Sequence, residues 1–78
     1  MTKVTKQVKG EWLRIALKAM GVRVIEAALT IGLSEARRLH QHMSDKSHLG
    51  CEHLAALARV YPQLNIRYVL TGEGSPLL

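Results

Sequence analysis

The chain has 78 residues, of which 47% are hydrophobic, 22% charged and 4% aromatic, the balance of one small globular domain and not of a disordered tail. A domain near this size buries only about 60% of its unfolded surface, which weighs against a deep substrate cavity and a large enzyme. The formal net charge of +5 is carried at one end. Over residues 1–23, Lys3, Lys6, Lys9, Arg14, Lys18 and Arg23 face Glu11 alone; from Val24 onward Arg37, Arg38, Lys46, Arg59 and Arg67 balance Glu26, Glu35, Asp45, Glu52 and Glu73. Such an end suits a polyanion, whether nucleic acid or an anionic membrane, and it also suits the simpler task of keeping a small protein in solution.

Apolar residues recur at three and four, not at two, and no Asn-Gly or Asp-Gly hairpin turn occurs, so the expected class is all-α. A first helix is expected from about Val8 to Met20, with Trp12, Ile15, Ala16, Ala19 and Met20 inward and Gly21 as a left-handed stop. A second runs from about Arg23 to Ile31, presents Val24 or Ile25, Ala28 and Ile31 to the core, and breaks at Gly32. Ser34 is placed to cap a third helix, Glu35 to about Met43, whose first turn Glu35 complements electrostatically. The polar stretch Ser44 to His48 reads as a loop. A fourth helix then covers about Cys51 to Tyr61 through Leu54, Leu57, Ala58 and Tyr61, and Pro62 ends it. Asn65 is a candidate cap for a last helix, Ile66 to Leu70, with Leu64 and Val69 at the spacing of a hydrophobic staple and Gly72 closing it. The tail Glu73 to Leu78 is short and ends in two leucines, too apolar for a solvated end.

No stretch approaches the roughly 18 apolar residues of a membrane span, and the N-terminus alternates Lys with Val and Thr where a signal peptide would be apolar. Cys51 is the single cysteine, so no internal disulfide is expected, and a soluble, cytoplasmic, single-domain protein fits.

The most specific local pattern is Ala28-x-x-x-Gly32-x-Ser34. Two helices crossing steeply over a short turn need a small side chain at the contact, a residue free to take positive φ at the corner, and apolar neighbours such as Ile31 and Leu33 beneath. That is the build of a helix-turn-helix; an ordinary helical hairpin also accommodates the trio.

The segment Tyr61-Pro62-Gln63-Leu64-Asn65-Ile66-Arg67-Tyr68-Val69-Leu70-Thr71-Gly72-Glu73-Gly74 resembles the final-helix signature of the Cro/cI-type (XRE) helix-turn-helix regulators of phages and bacteria. In those proteins a Tyr-Pro precedes an Asn-capped helix ending in Leu-Thr-Gly-Glu-Gly. With Ala28, Gly32 and Ser34 at the matching offset, the resemblance spans roughly Val8 to Gly74. It implies a compact, five-helix, lambda-repressor-like DNA-binding domain with a basic N-terminal arm (1–9) and a short C-terminal tail (73–78). The implied function is non-enzymatic transcription regulation, as a Cro-like repressor that binds double-stranded DNA without a cofactor.

On that resemblance Glu35 to Met43 becomes the recognition helix in the major groove, with Ser34, Glu35, Arg37, Arg38 and Gln41 as base-reading candidates, Arg favouring guanine and Gln adenine. Phosphates are assigned to Arg23, to Ser44, Lys46, Ser47 and His48 in the following loop, and to Lys3, Lys6 and Lys9 in the arm. A homodimer is expected, since one module of about 800 Å² rarely binds both tightly and selectively. Its seam is assigned to Tyr68, Val69, Leu77 and Leu78. Without the flanking motif, Arg37 and Arg38 read as a solvated helix face paired with Glu.

Three positions depart from the family pattern. Val24 stands where a polar phosphate contact is common, Gly50 where Ser or Thr caps the fourth helix, and Arg38 where a buried apolar residue is usual, with Leu39 one residue later. Helix two, carrying Val22, Val24, Ile25, Leu29 and Ile31, is apolar nearly all round, so the competing reading keeps the fold but docks a protein partner there, as an adaptor or antirepressor would. His48, Cys51 and His53, with His40 and His42 on other faces, lack the paired spacing of a zinc site. Cys51 reads as a small first-turn residue and not as a nucleophile. Trp12, Ile15 and Met20 are needed for the core, which argues against a membrane-lying first helix.

Overall fold

The computed structural model describes residues 8–78, and within them the chain is all-helical. Five helices follow in order: α1 (Gly10–Met20), α2 (Val24–Thr30), α3 (Arg37–Met43), α4 (Cys51–Val60) and α5 (Ile66–Thr71). Helix α1 is the common support, packing on both α3 and α5, while α2 packs on α3. The core gathers Leu13, Ala16 and Leu17 from α1, Ala27 and Ala28 from α2, Leu39 from α3, Leu57 from α4 and Val69 from α5, with Leu49 and Leu64 from the connections.

The buried stripe of α1 differs from the expected one. Gly10, Leu13, Ala16 and Leu17 are inward, whereas Trp12, Ile15 and Met20 are half-buried and Ala19 is exposed. A helix held between two neighbours buries a wide face centred between them, and here the centre lies about one residue from where apolarity alone put it. In α2 the buried pair is Ala27 and Ala28, and Ile25 turns outward.

Gly21, Gly32 and Gly72 all take positive φ, at 71°, 94° and 73°. Gly21 and Gly72 end α1 and α5, each donating its N–H back into the last turn.

Two expected caps are absent. Helix α3 starts at Arg37 with Ala36 in the cap position and no side chain capping it. The turn after Gly32 runs on through residues 34–36, which leaves the Ser34 hydroxyl two residues upstream of where a cap must stand. Asn65 does occupy the cap position of α5, but its side chain makes no cap bond. Its Nδ2 donates instead to the Ser75 carbonyl at 2.8 Å.

That bond belongs to a small strap. The Asn65 N–H donates to Pro76 O at 3.1 Å and the Leu78 N–H to Gln63 O at 2.8 Å, around an isolated antiparallel bridge between Leu64 and Leu77. The C-terminal tail is therefore pinned along the α4–α5 connection. Among the described residues, no helix is long and apolar enough to cross a membrane.

Candidate nucleic-acid interface

Helix α3 has the sequence RRLHQHM, with no acidic residue in its first turn. Leu39 is fully buried and His42 is 1% exposed, so positions 39 and 42 define the inward line. Met43 packs half-buried against the core. This fixes the register: Leu39, and not Arg38, fills the inward place. Arg37, Arg38 and His40 are exposed and Gln41 is half-buried. Ser34 and Glu35 are also exposed but stand in the turn ahead of α3 and not on it. The Glu35 carboxylate pairs with the Arg37 Nε at 3.2 Å, with both side chains mostly in solvent. Such a pair contributes little to stability.

The connection from α3 to α4 is held from two directions. Asp45 takes φ 61°, the only positive value at a non-glycine among the described residues, in the left-handed region that Asp and Asn tolerate better than most side chains. From there its Oδ1 accepts the Gly10 N–H at 2.8 Å. Asp45 thus caps α1 across a gap of 35 residues in sequence, supplying the acceptor that Lys9, in the cap position, does not. A carboxylate also favours the positive end of α1. Gly10 allows the approach: a Cβ there would fall on the His42 carbonyl and within 2.5 Å of the Met43 Cα.

The second fastening is His42, whose Nδ1 accepts the Leu49 N–H at 3.0 Å inside the protein. That bond places the proton of the neutral ring on Nε2, which is buried without a partner. Burial pushes the His42 pKa down, the adjacent His48 pushes it further, and Asp45 partly opposes both. The His42 and His48 rings meet edge-on with centroids 5.4 Å apart.

These fastenings bring part of the expected phosphate-binding set together. Lys46, Ser47 and His48 are exposed on the loop, and the exposed Lys9 directly precedes the Gly10 that Asp45 holds. Ser44 is exposed, though its hydroxyl donates to the His40 carbonyl. Arg23 is exposed at the cap position of α2. Lys3 and Lys6 lie outside the described residues.

Compared with family models, curated proteins and solved structures, the chain matches none. Among the described residues, no three His, Cys, Asp or Glu side chains gather as a metal site would need.

The expected dimer seam needs one correction. Val69 is fully buried within its own protomer and offers no surface to a partner. Tyr68 and Leu77 are half-buried, and Leu78 is 84% exposed. Gly10, His42 and Asp45 escaped the sequence reading. The signals were a glycine opening an amphipathic run and a histidine three residues beyond Leu39 on the same face, but each gains meaning only from contacts 7 to 35 residues away.

Proposed function

We propose that this protein is a sequence-specific DNA-binding transcription regulator of the Cro/cI type, cytoplasmic and non-enzymatic, which inserts α3 into the major groove as a homodimer. The observation that carries the reading is the outward side of α3. With Leu39 inward, Arg37, Arg38 and His40 are all exposed, Arg38 and His40 flanking the buried line and Arg37 lying opposite it, on a helix that itself bears no carboxylate. Guanidinium groups on a short exposed helix can reach the guanine edge, and Gln41 beside them suits adenine. The α2–α3 junction supports a helix-turn-helix: Ala28 is fully buried at the contact, Gly32 has positive φ, and the Leu33 N–H donates to Ala28 O at 2.9 Å. Lys9, Arg23, Lys46, Ser47 and His48 supply phosphate contacts, and Lys3 and Lys6 of the arm add to them. Tyr68, Leu77 and Leu78 remain the seam of the dimer.

The test is a titration with pooled random duplexes at two salt concentrations, followed by sequencing of the retained fraction. Enrichment of an inverted repeat, with affinity falling steeply as salt rises, is expected. Arg37→Ala and Arg38→Ala should each cost about 1 to 3 kcal/mol at one base position, and Lys9→Ala should weaken all sequences alike.

A second reading rests on α2, where Ile25 is 38% and Leu29 56% exposed, one helical turn apart. In that reading the fold is kept and a protein partner docks on α2. Affinity for that partner would hardly change with salt, and no duplex would be retained.

A further inference from the structure

Resting on the DNA-binding reading, we propose that Asp45, an acidic residue in the middle of the phosphate-gripping loop, is a positioning residue for DNA: by holding the Gly10 amide it sets Lys9 and the loop cations on one corner of the fold. Simple electrostatics gives the opposite expectation, that a carboxylate beside Lys46 and His48 repels phosphate and that its removal tightens binding.

The geometry separates the two. Asp45 Oδ1 lies 2.8 Å from the Gly10 nitrogen and 4.0 Å from His48 Nε2, so its acceptor is directed at the α1 amide first. Lys9 precedes the held residue and Lys46 follows the holding one, so a single bond ties together the two stretches of chain that carry these exposed cations. The backbone of Asp45 is bent into the left-handed region to reach this position. The contact beneath it is unusually close, Gly10 lying against the last turn of α3. Losing the acceptor frees the start of α1, and with it Lys9, while the helices that form the core stay packed.

Two substitutions remove the same charge and differ in what they keep. Asp45→Asn retains an oxygen acceptor and tolerates the backbone angle. Asp45→Gly suits that angle better still and has no acceptor. Their affinities for a pooled random duplex of about 24 base pairs should be read by fluorescence anisotropy over a salt series, with melting curves run alongside. The asparagine variant is expected to bind at least as tightly as the natural protein. The glycine variant is expected to bind about 5-fold more weakly, with a salt slope shallower by about one phosphate. Equal or tighter binding by the glycine variant overturns the proposal and leaves Asp45 as a repulsive charge. Failure of the unsubstituted protein to bind any duplex at low salt overturns the DNA-binding reading instead. Should the glycine variant not fold, amide exchange in the natural protein decides: a Gly10 amide that is protected, and further protected by added duplex, supports the positioning role, and one that exchanges as in an unstructured peptide overturns it.

Discussion

Gly10 and His42 meet where α1 crosses the end of α3, and at each a backbone group stands close: the His42 carbonyl and Met43 Cα against Gly10, and the Leu49 N–H on the His42 ring. At Gly10 a methyl group would run into the His42 carbonyl and the Met43 Cα, neither of which can swing aside. Alanine elsewhere in a helix improves on glycine by about 1 kcal/mol. Here Gly10→Ala should instead destabilise the protein by about 2 kcal/mol, a drop on the order of 10 °C in the melting temperature of a domain this size. A thermal melt followed by circular dichroism checks it. His42 makes a pH prediction. Its folded pKa is lowered from 6.5, by burial first and then by His48, so the unfolded chain takes up the proton more readily than the folded one. Stability is thus fully present above the unfolded value of about 6.5 and is lost as the pH falls through the lower folded value. Denaturant midpoints between about pH 7.5 and pH 5 should decline in the natural protein and flatten in His42→Asn. The asparagine amide oxygen stands where Nδ1 accepts the Leu49 N–H.

At the level of elements, α3 and α5 look alike in sequence, each with a capping residue ahead of an apolar-patterned run, yet neither side chain caps its helix. Ser34 stands two residues too early and makes no cap bond. Ser34→Ala should therefore leave the melting curve within about 0.5 kcal/mol of the natural protein, where a true cap would cost about 1 kcal/mol. Asn65→Ala should cost about 1 kcal/mol for a different reason, the loss of the Nδ2 bond to Ser75 that fastens the tail. A local frayed tail, seen as faster amide exchange at Leu78, would accompany it. Among aromatic residues, Trp12 on α1 has a similar long-range role. A Cβ on Gly72 would fall within 2.5 Å of its indole ring, so Gly72→Ala strains both the left-handed turn and the α1–α5 contact.

For the whole molecule, the tail decides how dimerisation can be tested. Pro76, Leu77 and Leu78 take part in backbone pairing with the segment Gln63 to Asn65, so deleting them strips part of the protomer along with any seam. Leu78 offers a cleaner probe because 84% of it lies in solvent while only its backbone is tied down. Leu78→Lys should leave the melting temperature of a dilute sample within about 2 °C, and, under the proposed homodimer, should lower the sedimentation-equilibrium mass of a concentrated sample towards that of one chain. An unchanged dimer mass would place the seam elsewhere. Placing the loop cations beside Lys9 is likewise a property of the complete fold, since Asp45 and Gly10 are 35 residues apart.

The sequence by itself determined the helical class, the order of the five helices, most of their ends and the loop from Ser44 to His48. Periodicity, glycine stops and Pro62 act within a few residues and so leave a local trace. Only the tertiary structure decided the rotation of α1, the choice of Leu39 as the inward residue of α3, the burial of Val69 and the bond from Asp45 to Gly10. A cap two residues adrift and a helix rotated by one position cost little locally. Close packing of α1 against α3 and α5 makes one arrangement much better than its neighbours, and that preference is written in contacts between residues far apart along the chain.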